Sequence, residues 1–339
     1  MTSLRRTWTL PTYLGLGTAA VLALLAPAFV TRFEWLPLLL SLPLLGMAHG
    51  AVDHHVPGRL LRRALTRREQ ALLIAGYSGL SILLLGLWWV APLLALGLFL
   101  LIAIAHWGDG DLWFCEVING RSAPRSVVSL LVFVLARGLL PIAVPLLVDA
   151  DAALSAFDGL LALFGRDGTL TITPTQRLVG LVVIGFIVAA AALLSVRDNR
   201  ARPRRALLID LGELGLLSVF FLLTPAVFAV GMYFLVWHSP RHILRLMACE
   251  PRQQALLDKG SSLAALAAFH REALLFTVVP LIGVAVIAVA LAATGATQIA
   301  AVSLAVIASL TYPHAAIVAW MDHRQGVWRT TESGVALPE

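Results

Sequence analysis

The sequence predicts an all-α membrane protein, a polytopic transmembrane helix bundle of about ten spans forming one integral membrane domain over residues 1–339. Hydrophobic residues make up 59% of the chain and charged residues only 13%, which is more apolar surface than a soluble domain of this length can bury. Apolar runs of about 20 residues recur, long enough to cross a hydrocarbon core of about 30 Å. These runs are apolar throughout, whereas β-barrel strands alternate apolar and polar residues.

Ten apolar runs define the predicted spans. They lie near residues 10–30, 35–52, 70–90, 92–113, 126–148, 176–196, 207–223, 226–247, 272–294 and 297–320. The first is interpreted as a retained helix, because its apolar stretch exceeds the 7–15 residues or so of a signal peptide. Pro92 and Pro225 mark two tight turns between consecutive spans. Residues 149–175 form the one polar insert.

Basic residues between the spans predict the topology. Ten spans place the connections that carry most of them on one side: Arg59, Arg62, Arg63, Arg67, Arg68, Arg121, Arg125, Arg197, Arg200, Arg202, Arg204, Arg205, Arg252, Lys259, Arg271, Arg324 and Arg329. The opposite side has little beyond Arg32 and Arg166. By the positive-inside rule both termini are cytoplasmic in a multi-pass protein of the cell membrane. The net charge of +6 therefore reflects topology among membrane lipids, not nucleic-acid binding.

Seven of the nine histidines lie in or beside four apolar segments. The segments read "MAHGAVDHHV" (47–56), "IAIAHWGDGDLW" (102–113), "YFLVWHSPRHILRL" (233–246) and "SLTYPHAAIVAW" (309–320). The predicted topology puts His49, His106, His238, His242 and His314 at similar depth, between the midplane and the cytoplasmic face. Ionisable groups inside a membrane are functional candidates, and imidazole suits iron, zinc and copper. The sequence therefore predicts a metal site between helices.

The third segment places two histidines on one helical face. His238 and His242 are spaced i, i+4, so both side chains can chelate one ion. Pro240 between them favours a kink and leaves a backbone carbonyl that needs a partner inside a membrane. Such a kink either aims the two ligands or only serves packing; the neighbouring histidines favour the first interpretation.

Aspartates follow two of these histidines. Asp53 lies one turn after His49 and could hold a ligand on a neighbouring helix, because carboxylates commonly accept the second ring N–H of a ligating histidine. Asp111 could do the same, although Asp109 and Asp111 equally fit a helix end that emerges into water. Gly50 and Gly108 would let helices approach closely.

The remaining polar residues carry weaker signals. His54 and His55 are interpreted as interfacial groups or outer neighbours of the metal site. His270 and His323 flank helix ends among basic residues and are interpreted as surface groups. Arg137 is expected to be paired within the bundle, and Asp210 and Glu213 to face a basic loop. Cys115 and Cys249 have no metal-type spacing and predict no disulfide.

The motifs "HGAVDH", "HWGDGD", "WHSPRH" and "YPHA" together resemble, in order, the signature segments of the Brp/Blh family of membrane β-carotene 15,15′-dioxygenases. The resemblance runs from the second span to the tenth. It implies an oxidoreductase that holds one non-haem Fe(II) with four histidines. Such an enzyme cleaves the central double bond of β-carotene with O2 and gives two molecules of retinal.

Carried over by motif, the resemblance implies His49, His106, His238 and His242 as iron ligands. His314 matches the last motif and would lie beside the metal, as an outer neighbour or a fifth ligand. The chain departs from the family pattern at Trp107, where phenylalanine is expected, and at Pro240, where leucine is commoner.

The resemblance also implies partners and a substrate site. β-Carotene or a related polyene would come from the bilayer through a lateral opening between helices, and an opsin could use the retinal. Aromatic side chains near the ligands would hold the polyene; the candidates are Trp107, Tyr233, Phe234, Trp237 and Tyr312. No acid, base or activated serine is required beyond the metal ligands.

Two alternative functions remain open on sequence alone. His49, His54 and His55 form an H-x4-H-H box like those of membrane di-iron desaturases and hydroxylases, which act on carotenoids or lipids. The second alternative is a metal transporter. A transporter would need polar ligands through the full membrane depth, whereas these histidines cluster in one leaflet.

Overall fold

The chain is mainly helical in the part that a computed structural model describes, residues 2–293 and 299–331, and no β-strand occurs there. The α-helices are α1 (Thr2–Leu25), α2 (Pro27–Arg32), α3 (Leu36–Ser41), α4 (Met47–Ala51), α5 (Val56–Leu60), α6 (Arg67–Val90), α7 (Pro92–Val117), α8 (Val127–Val148), α9 (Ala150–Ala162), α10 (Pro174–Asp198), α11 (Arg204–Leu223), α12 (Ala226–Tyr233), α13 (Ser239–Ala248), α14 (Pro251–Asp258), α15 (Ser262–Ala293) and α16 (Ile299–Gln325). Two π-helical turns, Leu42–Gly46 and Phe234–His238, and a 3-10 turn, Asp53–His55, connect consecutive helices. The all-α prediction is confirmed.

Nine helical stretches of the described residues are long and apolar enough to cross a membrane. They are Thr7–Leu25, Leu36–Leu60, Arg67–Val90, Pro92–Val117, Val127–Val148, Pro174–Asp198, Arg204–Leu223, Ser262–Gly283 and Leu304–Gln325. The prediction of a multi-pass bundle is therefore confirmed. Both termini being cytoplasmic stays a prediction.

The eighth predicted span, residues 226–247, is helical from α12 through the π turn to α13 but is not among those nine. Its second half contains Arg241 and Arg245 together with two histidines, which lower its hydropathy. The side chains of both arginines are buried. This segment is thus the polar centre of the bundle and not a lipid-facing helix.

Several span boundaries differ from the prediction. Helix α1 ends at Leu25, because Pro27 begins the short helix α2. The second span continues past residue 52 through the 3-10 turn and α5 to Leu60. Helix α15 begins at Ser262, ten residues before the predicted start at 272. Residues 294, 297 and 298 of the last two predicted spans lie outside the described residues.

The polar insert 149–175 contributes one helix to the bundle. Helix α9 buries Leu160 and Leu161 in a cluster with Trp88, and Tyr312 belongs to the same cluster. After it the chain reaches α10, whose N-terminus is closed by a capping box between Thr173 and Gln176. The insert therefore packs onto the membrane-spanning helices that surround the histidines.

Helices α7 and α8 approach so closely that only glycine fits at two positions. A Cβ atom on Gly108 would overlap the carbonyl of Val134, and one on Gly138 would overlap the carbonyl of Ile104. The expected close approach at Gly108 is confirmed. At Gly50 the nearest atom is Nδ1 of His314, at an ordinary contact distance of 3.5 Å from a built Cβ. The predicted close helix approach is thus absent there, because a side chain and not a helix backbone faces Gly50.

Candidate metal centre and adjoining cavity

Five histidines from four predicted spans meet in one buried cluster. His49 lies on α4, His106 on α7 and His314 on α16, while His238 and His242 flank the junction of the π turn with α13. All five are buried. The separations between ring centroids are 5.5 Å for His49–His238, 5.4 Å for His49–His242, 4.8 Å for His49–His314, 5.2 Å for His106–His238, 6.2 Å for His106–His242, 4.9 Å for His106–His314 and 5.3 Å for His242–His314.

The ring nitrogens of this cluster are available to a ligand. The Nε2 atoms of His106, His238, His242 and His314 are buried and have no hydrogen-bond partner among the described residues. In His49, Nδ1 lies 3.2 Å from the carbonyl of Leu45, which leaves Nε2 as the acceptor nitrogen. Buried polar atoms are normally paired, so this concentration of unpaired imidazole nitrogens fits a bound metal ion.

The ring spacing is compatible with a single ion. With a metal–nitrogen bond of about 2.1 Å, each centroid would lie about 3.3 Å from the ion. Two adjacent ligands would then have centroids about 4.6–5.6 Å apart, and two opposite ligands about 6.5 Å apart. The observed separations of 4.8–6.2 Å fall within this range. No three histidine, cysteine or acidic side chains of the described chain already stand in coordinating positions, so the rings would have to adjust around an ion.

Two π-helical turns help to aim these histidines. One turn ends three residues before His49, and the other ends at His238. A π turn widens the helix locally and often marks a functional site. Pro240 has no N–H for the carbonyl of Val236, which instead accepts a hydrogen bond of 2.8 Å from the hydroxyl of Thr12 on α1. The sequence predicted that this carbonyl needs a hydrogen-bond partner, and α1 provides it.

Asp53 holds a histidine on a different helix. Its Oδ2 atom lies 2.8 Å from Nδ1 of His314 and accepts a second hydrogen bond, of 3.3 Å, from the hydroxyl of Tyr77 on α6. With Nδ1–H donated to the carboxylate, Nε2 of His314 carries its lone pair toward the cluster. The carboxylate therefore fixes the ring orientation and tautomer of His314.

Asp111 contacts the helix that carries two of the histidines, not a histidine ring. It accepts hydrogen bonds from Nε1 of Trp237 at 2.9 Å and from Nη1 of Arg241 at 3.0 Å. Trp237 directly precedes His238 in the chain, and Arg241 directly precedes His242. Asp111 lies five residues after His106 on α7. Its contacts therefore link the helix of His106 to the segment that carries His238 and His242.

A buried ionic network surrounds that contact. Arg137 binds Asp111 at 3.1 Å and Glu213 at 3.1 Å, and Arg241 binds Glu213 at 2.6 Å. Arg137 also binds Asp210 at 2.9 Å, and that carboxylate binds Arg121 at 2.8 Å. Three arginines thus neutralise three carboxylates inside the bundle. The expected pairing of Arg137 is confirmed.

The predicted position of the two acidic residues of α11 is confirmed only in part. Asp210 does face the basic connection that contains Arg121. Glu213 instead points inward, where Tyr13 and Asn119 also donate hydrogen bonds to it, of 2.7 and 2.9 Å. The rotation of α11 against its neighbours, which the sequence does not reveal, separates the two carboxylates.

A cavity of about 380 Å³ adjoins the histidine cluster. Its wall contains His49, His106, His238 and His314, and most of the rest is apolar. The side chains come from all sides of the bundle, including Leu38, Phe99, Pro141, Val230 and Ile307. The cavity is therefore mostly apolar and has imidazoles on one wall. Such a site suits a hydrophobic ligand that reacts next to a metal ion.

Two of the five predicted aromatic residues line this cavity, Trp107 and Phe234. The other three do not, which corrects the prediction. Tyr233 and Trp237 are fully buried in the core, where Trp237 donates to Asp111. Tyr312 packs beside Trp88, and its hydroxyl binds the carbonyl of Ala95 at 3.0 Å. These side chains project from other faces of their helices.

The other histidines lie outside the cluster. His54 is at the cavity wall, where its ring packs against that of Phe276 with centroids 4.4 Å apart. His55 lies 3.5 Å from Glu272. His270 contacts the carbonyls of Leu44 and Leu266, and His323 is exposed.

Sequence reasoning missed Tyr77, Thr12 and the role of Arg241. Each is a polar side chain within a predicted membrane span, which is the signal that could have identified them. Arg241 also lies inside the motif "WHSPRH". Its guanidinium is 3.6 Å from the ring centroid of Trp237 and 4.2 Å from that of Phe114.

Comparison with known proteins agrees with this geometry. The sequence model of the family described as "Beta-carotene 15,15'-dioxygenase" matches residues 40–322, which include all five clustered histidines. The chain is 35% identical over 323 residues to "Probable beta-carotene 15,15'-dioxygenase Blh" of Halobacterium salinarum, covering 93% of this chain and 92% of the relative. It is 26% identical over 315 residues to "Probable beta-carotene 15,15'-dioxygenase Brp" of that organism, covering 86% and 84%. No solved structure matches the chain significantly. The chain therefore belongs to the β-carotene 15,15′-dioxygenase family of carotenoid-cleaving enzymes.

Proposed function

We propose that this protein is a non-haem Fe(II) dioxygenase of the cell membrane that cleaves the central double bond of β-carotene with O2 and releases two molecules of retinal. The observation that carries the proposal is a cluster of five buried imidazoles, of which four have an unpaired Nε2 atom and four line an apolar cavity. Family membership supports the reaction type. The retinal would be available to an opsin.

His49, His106, His238 and His242 would hold the iron, and we extend this set to His314. The Nε2 atom of His314 is buried and unpaired, and its ring lies within 4.8–5.3 Å of three other rings of the set. Iron bound there would activate O2 beside the alkene, which is chemistry that side chains alone do not supply.

The protein's own residues would orient the ligands and exclude water. Asp53 holds the ring of His314, and Asp111 holds the segment that carries His238 and His242. Trp107 and Phe234 lie with centroids 5.0 Å apart beside His238, at 5.9 and 5.4 Å from its ring. These two aromatic rings would pack against the polyene and hold one double bond next to the imidazoles.

The geometry favours this function over the two alternatives. A di-iron centre would need His54 and His55 as ligands, yet His54 packs against Phe276 and His55 faces Glu272. A transporter would need a polar route through the bundle. The cavity beside the histidines is instead mostly apolar, which suits a substrate that dissolves in the bilayer.

Expression in carotene-producing cells tests the proposal directly. The wild-type protein should convert β-carotene to retinal and purify with about one iron per chain, as a mononuclear centre requires. The His238→Ala variant should lose both properties, whereas His323→Ala, at an exposed site, should retain them. Hydroxylated or intact carotene, or two irons per chain, would contradict the assignment.

A further inference from the structure

The exposed residues among those that line the cavity lie on two helices of the described chain. Of the side chains that line it, only Ile74, Ser78 and Phe276 are exposed, and all three lie on α6 or α15. The lining residues contributed by the other helices are buried or only partly exposed. We call these three residues the mouth of the cavity.

The mouth lies within the apolar thickness of the bundle and not at a loop. Ile74 and Ser78 are 7 and 11 residues beyond the start of α6 at Arg67, which is about 10 and 16 Å along the helix. Phe276 is 14 residues beyond the start of α15 at Ser262, or about 21 Å. A bilayer with a core of about 30 Å would therefore present acyl chains, and not water, to these residues.

The helices on the two sides of the mouth pack on other partners. Helix α6 packs against α7 and α16, and α15 packs against α4, α14 and α16, with few contacts between α6 and α15 themselves. Helix α16 lies behind them, where Leu310 and Thr311 form the floor of the cavity. One turn further along α16, His314 belongs to the metal cluster, so a continuous surface leads from the mouth to the imidazoles.

Both sides of the mouth are held in place by contacts with other segments. The ring of Phe276 packs against that of His54, with centroids 4.4 Å apart and the ring planes tilted by 43°. Tyr77, between Ile74 and Ser78 on α6, points inward and donates to Asp53 and to the carbonyl of Leu310. Each of the two helices beside the mouth, α6 and α15, is therefore held by a side-chain contact with another segment of the bundle.

We propose that this mouth between α6 and α15 is the lateral opening through which the polyene passes from the bilayer to the metal cluster. The proposal rests on the proposed function for the identity of the polyene. A carotenoid dissolved in the acyl chains would enter end-on past Ile74 and Phe276, without crossing water.

The test uses Ile74 with Leu72 as the matched control. Both side chains are exposed on α6, 43% and 63%, but Leu72 does not line the cavity. Each is replaced by cysteine in the full-length protein, labelled with a bulky apolar disulfide-forming reagent, and released again with a reductant. Uptake of β-carotene from vesicles is followed by its visible absorption with O2 excluded, and cleavage is followed in air.

Labelled Ile74→Cys should take up and cleave carotene about tenfold more slowly or worse, with its bound iron unchanged and its rates restored by the reductant. Labelled Leu72→Cys should match the wild-type protein. Ile74→Trp should behave like the labelled protein and Leu72→Trp like the control. Equal uptake rates for labelled Ile74→Cys and Leu72→Cys would overturn the lateral opening. Uptake without retinal formation in air would overturn the proposed function and leave the opening standing.

Discussion

His314 on α16 and Asp53, just after α4, are bound to each other at 2.8 Å between Nδ1 and Oδ2, although 261 residues separate them in the chain. The contact is buried and joins two helices of the bundle. It leaves the opposite nitrogen of His314 unpaired beside four further imidazoles. The carboxylate thus orients the ring of His314 and leaves Nε2 as the acceptor nitrogen, which suits a metal ligand with a fixed tautomer.

The first prediction concerns His314 as a fifth ligand. His314→Ala should lower bound iron as far as His106→Ala does, because both remove a buried, unpaired Nε2 atom from the cluster. The measurement is iron per chain in purified protein, with His270→Ala as the control outside the cluster. Full iron content in His314→Ala would show that His314 does not bind the iron and only lies beside its ligands.

The second prediction concerns Asp53. Asp53→Asn preserves shape and hydrogen-bonding capacity but removes the charge that orients His314. Loss of such an outer carboxylate typically costs about 10–100-fold in metal affinity or activity. Cleavage should therefore be weak at low Fe(II) and recover as Fe(II) is added. An Asp53→Asn protein that stays inactive at saturating iron would instead indicate direct coordination by Asp53.

The third prediction concerns Asp111. Asp111→Ala leaves Arg137 and Arg241 short of a buried counter-charge, which typically costs about 3–5 kcal/mol of stability. The unfolding midpoint in detergent should fall, and so should iron retention, since the same carboxylate anchors the segment of His238 and His242. Asp151→Ala is the control: Asp151 pairs with Arg177 at 3.0 Å but is 95% exposed, and exposed pairs contribute about 0–1 kcal/mol. Equal midpoints for the two variants would remove the anchoring role.

The fourth prediction is topological. An odd number of crossings would put the two termini on opposite sides, whereas the ten predicted spans put both in the cytoplasm. A reporter fused after Glu339 should therefore be active inside the cell. A reporter on the outer side would show that the spans are miscounted, first of all at the tight turns near Pro92 or Pro225.

The sequence alone determined the class of the protein and most of its candidate metal ligands. Membrane-spanning backbone must satisfy its hydrogen bonds internally, so long apolar runs translate directly into helices. Polar residues are costly in such runs, which makes every histidine there conspicuous. The positions of His238 and His242 on one face follow from the helical repeat.

The tertiary structure alone decided which way the other side chains point. These helices are apolar nearly all round, so periodicity carries little information about which face is inside. Trp237 consequently binds Asp111 instead of lining the cavity, and Glu213 points inward while Asp210 faces a loop. The partner of Asp53 likewise depended on how α16 packs against the segment that follows α4. Helix rotation is set by packing between segments far apart in the chain, and a single sequence encodes that packing only through the whole bundle.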